Sequence, residues 1–359
     1  MQVLSKSALI FSWLQSLGLF DYKKTLFLHD YFINESGFRE QLEKDKDYLI
    51  IELGVEKYQA LLNSASGEYL KGIISDLEKN QVTIIDKDSE YYPPQLFELE
   101  NPPHILYAKG NLELLNTRLF TIVGSRKSLA YSIATAESLV KDLSGEFTIV
   151  TGLAQGVEKA IVDTLTSING KGICVLPSGI ANVYPQSHQN ATQNFVKNGL
   201  VISEYYLTEE CRPYHFPRRN ELLAMLGEGT LVINGDEKSG CLQTAKKAKE
   251  FGKPVFAIPY SIGIQSGIGP NNLIKNGALL TTGAQDVFDY FNIEKEKGIG
   301  TQLSSQEQLI VQALNEPKHI EQIAKELQQE VFEISPIISM LEIKGVILKS
   351  GVNVYRLAK

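Results

Sequence analysis

Short apolar runs alternate with amphipathic stretches from about residue 119 to residue 289. The stretches at 133–143 and 242–251 have the spacing of helices with one buried face. Strands that are apolar on both faces are typical of a parallel sheet covered by helices on each side. The pattern predicts an extended Rossmann-like, doubly wound parallel α/β sheet. Its predicted strands lie at 119–123, 147–150, 172–176, 200–202, 230–233, 254–258 and 278–280.

The regions on either side have different patterns. Residues 1–80 alternate apolar clusters with charged turns and predict a helical domain of the SAM or helix-hairpin-helix kind. Residues 81–290 then form the Rossmann-like domain. A polar linker follows at 291–304. Residues 305–359 predict three helices and a hairpin, which is the winged-helix arrangement.

The charge distribution and the cysteine content exclude some classes of function. Residues 1–120 carry 12 Lys and Arg against 18 Asp and Glu, whereas residues 121–290 carry 15 of each. A phosphate-binding surface would therefore depend on a local patch of positive charge and not on the net charge of the whole protein. The three cysteines are widely spaced, which indicates neither a disulfide framework nor a zinc site. The apolar stretch at 8–20 has helical spacing and is too short to span a bilayer, so we expect a cytoplasmic protein.

Small residues follow the predicted strands, at the edge where open parallel sheets bind ligands. Gly124, Ser125 and Arg126 come after the first strand of the domain. Backbone amides at a helix start, a hydroxyl and a guanidinium can bind a phosphate together. The tripeptide matches neither GxGxxG nor the Walker A pattern. A structural turn is therefore an equal alternative. Similar short loops that begin with a serine occur at Ser178-Gly179, Ser203-Glu204 and Ser239-Gly240.

The strand that ends near Val150 leads into Thr151-Gly152 and lacks a carboxylate to hold a ribose. This argues against a dinucleotide cofactor, and we expect no cofactor. Glu158 and Asp163 fall in the next predicted helix, where we expect them to be solvated or to cap it.

The segment 212–220 reads Arg-Pro-Tyr-His-Phe-Pro-Arg-Arg-Asn. Aromatic faces stack on bases without reading sequence, and arginines neutralise phosphates, so this composition indicates binding of a single strand. The alternative is a proline-kinked loop whose arginines pair with Glu204 or Glu221. Lys246, Lys247 and Lys249 either extend the basic patch or form a solvated helix face.

A set of short motifs follows in a fixed order along the chain. The motifs are Tyr92-Pro93, Asn101-Pro102-Pro103, Leu106-Tyr107-Ala108-Lys109-Gly110-Asn111, Val123-Gly124-Ser125-Arg126, Gly152-Leu153-Ala154, Tyr184-Pro185, Ser203-Glu204-Tyr205, Phe216-Pro217-Arg218-Arg219-Asn220, Ser239-Gly240, Thr244-Ala245, Asn272-Leu273-Ile274 and Gly277-Ala278. In this order and spacing the motifs together resemble the DprA/Smf family of DNA-processing proteins, although each motif is weak by itself.

The resemblance implies a function. Members of this family bind single-stranded DNA, form homodimers through the Rossmann-like domain and load RecA on the strand during natural transformation. They protect incoming DNA and help to displace single-strand-binding protein, with no established catalysis. The resemblance implies a DNA groove lined by Gly124, Ser125, Arg126, Phe216, Arg218, Arg219, Asn220, Ser239 and Gly240, with Lys246 and Lys275 as further candidates.

Some positions depart from the family pattern. Gln155 and Glu158 stand where the family has Arg and Asp, and Glu221 stands where an Arg is common. Asn234 replaces an acidic residue, and Tyr260 interrupts a Pro-Gly-Ser turn. The changes at Gln155 and Glu221 remove positive charge, which puts DNA affinity in question and leaves the fold unaffected.

Two other function classes share this fold. A phosphoribohydrolase of the lysine-decarboxylase-like superfamily carries Pro-Gly-Gly-x-Gly-Thr with a catalytic Glu and Arg. The comparable stretch at 177–181 lacks most of those glycines and the Thr. A nucleotide sensor that regulates through the winged helix would need a DNA-reading helix. The predicted helix at 334–344 is mostly apolar with one basic residue, so it favours partner docking.

The sequence predicts sequence-tolerant binding of oligo-dT with a dissociation constant on the order of 10⁻⁷ M, weakening steeply with salt because phosphate contacts release counterions. A titration by fluorescence anisotropy at several salt concentrations measures both properties. The absence of a complex at low salt would contradict the prediction.

Overall fold

The structure is a computed structural model that describes residues 4–35, 37–294, 303–343 and 346–358. The chain divides into two compact units, Met1–Val287 and Phe288–Lys359. No helix within the described ranges combines the length and hydropathy needed to cross a bilayer.

Helices fill the first part of the first unit, and strands alternate with helices in the rest of it. The N-terminal helices are α1 (Lys6–Ser16), α2 (Tyr22–Phe32), α3 (Phe38–Lys44), α4 (Lys46–Leu53), α5 (Val55–Ser64) and α6 (Gly67–Asn80). The strands are β1 (Thr83–Asp86), β2 (Ile105–Gly110), β3 (Leu119–Val123), β4 (Thr148–Thr151), β5 (Gly172–Val175), β6 (Leu200–Ser203), β7 (Thr230–Val232), β8 (Val255–Ala257) and β9 (Leu279–Leu280). The later helices are α7 (Ala130–Leu143), α8 (Val157–Ser167), α9 (Gln189–Phe195), α10 (His215–Leu226), α11 (Cys241–Glu250) and α12 (Ile268–Lys275). Helix α13 (Ala284–Tyr290) contains the boundary between the two units.

Strands β1 to β9 form one sheet in the order β1-β2-β6-β5-β4-β3-β7-β8-β9. The strands from β6 to β9 are parallel, which confirms the predicted Rossmann-like fold. The chain moves outward from β3 through β4 and β5 to β6, then returns to place β7 beside β3. The switch point of the sheet, where such folds bind ligands, is therefore the crevice between β3 and β7.

The sheet extends beyond its parallel part by two antiparallel strands. β2 pairs antiparallel with β6, and β1 pairs antiparallel with β2. Short apolar runs indicate burial but not strand direction, so only the structure shows that these two strands are antiparallel. Every residue of β3, β4, β5 and β6 is buried, as expected for strands covered on both faces.

Helix α1 is joined to the sheet through polar side chains. Ser5 caps its first turn by accepting the Ala8 N–H at 3.0 Å. The Tyr107 hydroxyl on β2 donates to Gln15 Oε1 at 2.9 Å, and Gln15 Nε2 donates to the Glu204 carbonyl at 3.1 Å. Trp13 is fully buried and donates to Ser64 Oγ at 2.8 Å. The predicted amphipathic helix thus packs on its own unit.

The second unit contains α14 (Ser305–Ala313), α15 (Ile320–Leu327) and α16 (Val331–Ile343). Its small sheet has the order β10-β12-β11, with β10 (Lys318–His319), β11 (Ile347–Gly351) and β12 (Val354–Leu357). Ile323, Ile334 and Leu341 are fully buried in its core. The winged-helix assignment and the domain boundaries stay predictions. Most of the predicted linker, together with Lys344 and Gly345, lies outside the described residues.

Gly110→Ala is expected to destabilise the first unit. Gly110 has a φ of +119°, and an added Cβ would lie 2.2 Å from the Gly199 carbonyl oxygen. Backbone strain of this kind costs about 1–3 kcal/mol, before any clash. The control is Gly72→Ala in α6, where a Cβ meets nothing within 4 Å and helix propensity favours Ala. Urea unfolding should show a loss of stability for the first variant and none for the second.

Candidate nucleic-acid interface

The loop after β3 is held by a side chain that follows β7. Asn234 is fully buried; its Oδ1 accepts the Ser125 N–H at 2.8 Å, and its Nδ2 donates to the Lys127 carbonyl at 3.3 Å. An ionised carboxylate has no donor and could make only the first of these bonds. Asn234, seen in the sequence only as a departure, therefore bridges the two sides of the switch point.

Gly124 allows β3 and α8 to approach closely. A Cβ on Gly124 would lie 2.7 Å from the Cβ of Val157, which begins α8. Gly156 has a φ of +88°, and a Cβ there would lie 2.5 Å from the Ser125 carbonyl oxygen. Both glycines thus position the loop by packing. Because the Ser125 N–H is already bonded, the loop offers fewer free amides than the sequence suggested.

Arg126, which is exposed, and Phe216, which is half-buried, form the cationic and aromatic part of this edge. Phe216 lies in the first turn of α10, and the Arg126 guanidinium carbon is 4.8 Å from its ring centroid. Arg126 is exposed and forms no ion pair with the acidic side chains that the structure describes. The geometry is that of a cation–π contact, which leaves the guanidinium donors available to a ligand.

Arg218 is held by carboxylates. Its Nε and Nη2 donate to the two oxygens of Glu204 at 2.7 and 2.8 Å, and its Nη1 donates to Glu221 Oε2 at 2.7 Å. A further bond from Nη2 reaches the Asn101 carbonyl at 2.7 Å. Burial alone would lower the pKa of Arg218, and the two carboxylates outweigh it and raise that pKa. The pairing that the sequence left as an alternative is therefore present, although the segment forms a helix from His215 and not a kinked loop.

Arg219 and Glu158 form a buried ion pair. Arg219 Nη1 donates to Glu158 Oε2 at 3.0 Å, and both side chains are 5% exposed. Glu158 Oε2 also accepts the Ala154 N–H at 2.8 Å. Gly152 makes room for the pair, because a Cβ there would lie 1.5 Å from Arg219 Nη1. Of the two expectations for Glu158, solvation is wrong, since the side chain is buried and Arg219 approaches it from α10, a helix distant in the sequence. The other expectation, a capping role, fits the bond from the Ala154 N–H, which lies just before α8.

Three predicted residues meet where α10 contacts the start of α11. Asn220 Nδ2 donates to the Gly240 carbonyl at 3.3 Å. The Ser239 hydroxyl donates to Asp236 Oδ1 at 2.9 Å and accepts the Asp236 N–H at 2.9 Å. Asn220 is buried and joins the two helices by this hydrogen bond. The hydroxyl of Ser239 forms its hydrogen bonds within its own turn.

The two predicted lysines lie on helices α11 and α12. Lys246, on α11, is exposed and 3.9 Å from Glu250. Lys275 ends α12, which runs between the parallel strands β8 and β9. A helix in that position ends at the amino edge of the sheet, opposite the carboxyl edge that carries Arg126. The structure therefore does not bring Lys275 together with the other predicted residues.

Glu158→Ala is expected to destabilise the unit by about 3–5 kcal/mol, because it leaves the buried Arg219 charge without a partner. The control is Asp163→Ala on the same helix, which removes an exposed pair with Lys159 and should cost about 0–1 kcal/mol. Urea unfolding compares the two variants. Equal stability of both would contradict a structural role for the buried pair.

The comparisons with known proteins agree with this architecture. The family model described as DNA recombination-mediator protein A matches residues 81–292. Protein Smf of Escherichia coli K12 is 34% identical over 215 residues, which are 59% of this chain and 58% of that protein. DNA processing protein DprA of Bacillus subtilis 168 is 32% identical over 237 residues, which are 65% of this chain and 80% of that protein.

Two solved structures resemble the fold. The X-ray structure of DNA processing protein A from Streptococcus pneumoniae is 28% identical with a TM-score of 0.63, covering 80% of this chain and 98% of that one. A structure of DNA processing protein A from Helicobacter pylori, described with its single-stranded DNA binding mode, is 26% identical with a TM-score of 0.53. The match covers 59% of this chain and 96% of that one. With the family model matching more than half of its length, the chain belongs to the family of DNA recombination-mediator protein A.

Proposed function

We propose that this chain binds single-stranded DNA without strong sequence preference, loads RecA on it during natural transformation and recombination, and protects the incoming strand. The observation that carries the proposal is Arg126. It is an exposed guanidinium, unpaired with any described carboxylate, that lies on the Phe216 ring at the switch point of a family-typical sheet. An unpaired cation neutralises phosphates, which is the contact that a single strand offers whatever its sequence.

The predicted site residues take different parts in the proposed interface. Arg126 supplies the phosphate contact, and Phe216 supports its guanidinium. Arg218, Arg219 and Asn220 act as positioning residues, because Arg218 and Asn220 donate to groups of the protein and Arg219 is buried with its Nη1 donating to Glu158. Gly124, Ser125, Ser239 and Gly240 shape the loops, and Lys246 adds charge on α11.

The relatives support this assignment by their names and by one described property. The Helicobacter pylori protein is described as binding single-stranded DNA, and the Bacillus and Streptococcus relatives are named DNA processing proteins. RecA and single-strand-binding protein are the proposed partners in the cytoplasm, and no catalytic step is part of the proposal.

A homodimer through the Rossmann-like unit completes the proposal. The outer strand β9 exposes Leu279 and Leu280, by 36% and 52%. Apolar side chains on an unpaired edge strand are unfavourable in water, and a second copy of the chain could cover them.

The buried ion pair argues against the enzyme alternative. A phosphoribohydrolase would present a Glu and an Arg to its substrate. Here Glu158 and Arg219 neutralise each other at 3.0 Å, and the carboxylate also binds the Ala154 N–H. Release of free base from a nucleoside monophosphate would nevertheless favour that alternative, and chromatography of the reaction mixture would detect it.

Arg126→Glu should weaken binding of oligo-dT about tenfold or more, because a charge-assisted phosphate contact of about 1.5–3 kcal/mol is replaced by repulsion. The slope of log affinity against log salt should fall by about 0.7 for each phosphate that the variant no longer neutralises. The control is Arg39→Glu, an exposed arginine of α3 paired with Glu43. Anisotropy titrations measure both variants, and an unchanged affinity for Arg126→Glu would remove this loop from the interface.

A further inference from the structure

An exposed tyrosine stands beside the Arg126 and Phe216 pair. Tyr184 belongs to the loop that follows β5, and 43% of it is exposed. Its ring centroid lies 6.0 Å from that of Phe216, with an angle of 77° between the rings. Its hydroxyl makes no hydrogen bond to any residue that the structure describes. The ring is thus oriented by Phe216 while much of its surface faces solvent.

Phe216 is less available to a ligand than the composition of the 212–220 segment suggests. The guanidinium carbon of Arg126 is 4.8 Å from its ring centroid, and that of Arg219 is 5.8 Å away. Arg219 is buried and bonded to Glu158, so it cannot move aside without breaking that pair. A base that stacks on Phe216 must first displace Arg126, whereas the exposed part of Tyr184 requires no such displacement.

We propose that Tyr184 is a base-stacking residue, and that it binds an unpaired nucleobase of the strand whose phosphate contacts Arg126. The inference rests on the proposed function. Tyrosine combines a large apolar face with a hydroxyl that tolerates water, which suits a half-exposed platform. Stacking is sequence-tolerant because every base has a π-face, in agreement with binding that does not read sequence. Phe216 then acts as the support between the stacking ring and the phosphate-binding cation.

The test uses the full chain and two oligonucleotides of equal length, oligo-dT and a strand of abasic sites with the same phosphates. Tyr184→Ala should weaken binding of oligo-dT roughly fivefold to a hundredfold, the effect of removing one stacked base. It should leave binding of the abasic strand and the salt slope unchanged, because every phosphate contact is kept. Tyr184→Phe keeps the ring and should bind oligo-dT as the unaltered chain does.

Tyr48→Ala is the matched control, since Tyr48 is 48% exposed on α4 and should affect neither strand. Photocrosslinking of the unaltered chain to an oligonucleotide with 5-iodo-deoxyuridine should place an adduct on Tyr184, independently of any variant's folding.

Outcomes of the test separate the two proposals. If Arg126→Glu weakens the complex and Tyr184→Ala leaves the affinities for both strands unchanged, the stacking role alone is overturned. Equal weakening on oligo-dT and on the abasic strand would likewise overturn it, because a base contact cannot act on a strand without bases. A chain that binds no oligo-dT at low salt would overturn both proposals.

Discussion

The buried ion pair between Arg219 and Glu158 is the interaction on which the carboxyl edge of the sheet depends. It joins the first turns of α10 to the start of α8, and it lies in space left by Gly152. Two charges in a low-dielectric environment are stable only when they stay together, so the pair restrains both helices. Phe216, three residues before Arg219, takes its position from this restraint, and the Arg126 and Tyr184 side chains contact Phe216 in turn.

The arginines of this edge have separate roles. Arg218 donates to Glu204 and Glu221, and Arg219 Nη1 donates to Glu158, whereas Arg126 remains exposed on an aromatic ring. A count of cations in the sequence therefore overstates the charge that a ligand meets. In a unit whose middle part has no net charge, one free guanidinium beside exposed aromatic surface is a local patch. Such a patch binds through short-range contacts that salt weakens.

Two departures from the family pattern have structural explanations. Asn234 donates and accepts at once, which lets it hold the loop after β3 to the loop after β7. Glu221 contacts Arg218 at 2.7 Å and Lys247 at 3.5 Å, so it draws two cations toward the protein. The first change keeps the loop in place by neutral hydrogen bonds. The second reduces the positive charge of the helix surface that adjoins the proposed interface.

Hydrophobic periodicity by itself determined the strands, the alternation with helices and the fold class, because burial on both faces of a parallel strand leaves a continuous apolar run along the chain. The motif order likewise determined the family. Only the tertiary structure decided which arginines are free, because ion pairs such as Arg219 with Glu158 join residues far apart in sequence. It also decided that Tyr184 and Arg126 both contact Phe216. The three residues follow β5, β3 and β6, and because these strands are parallel, the segments after them lie at the same edge of the sheet.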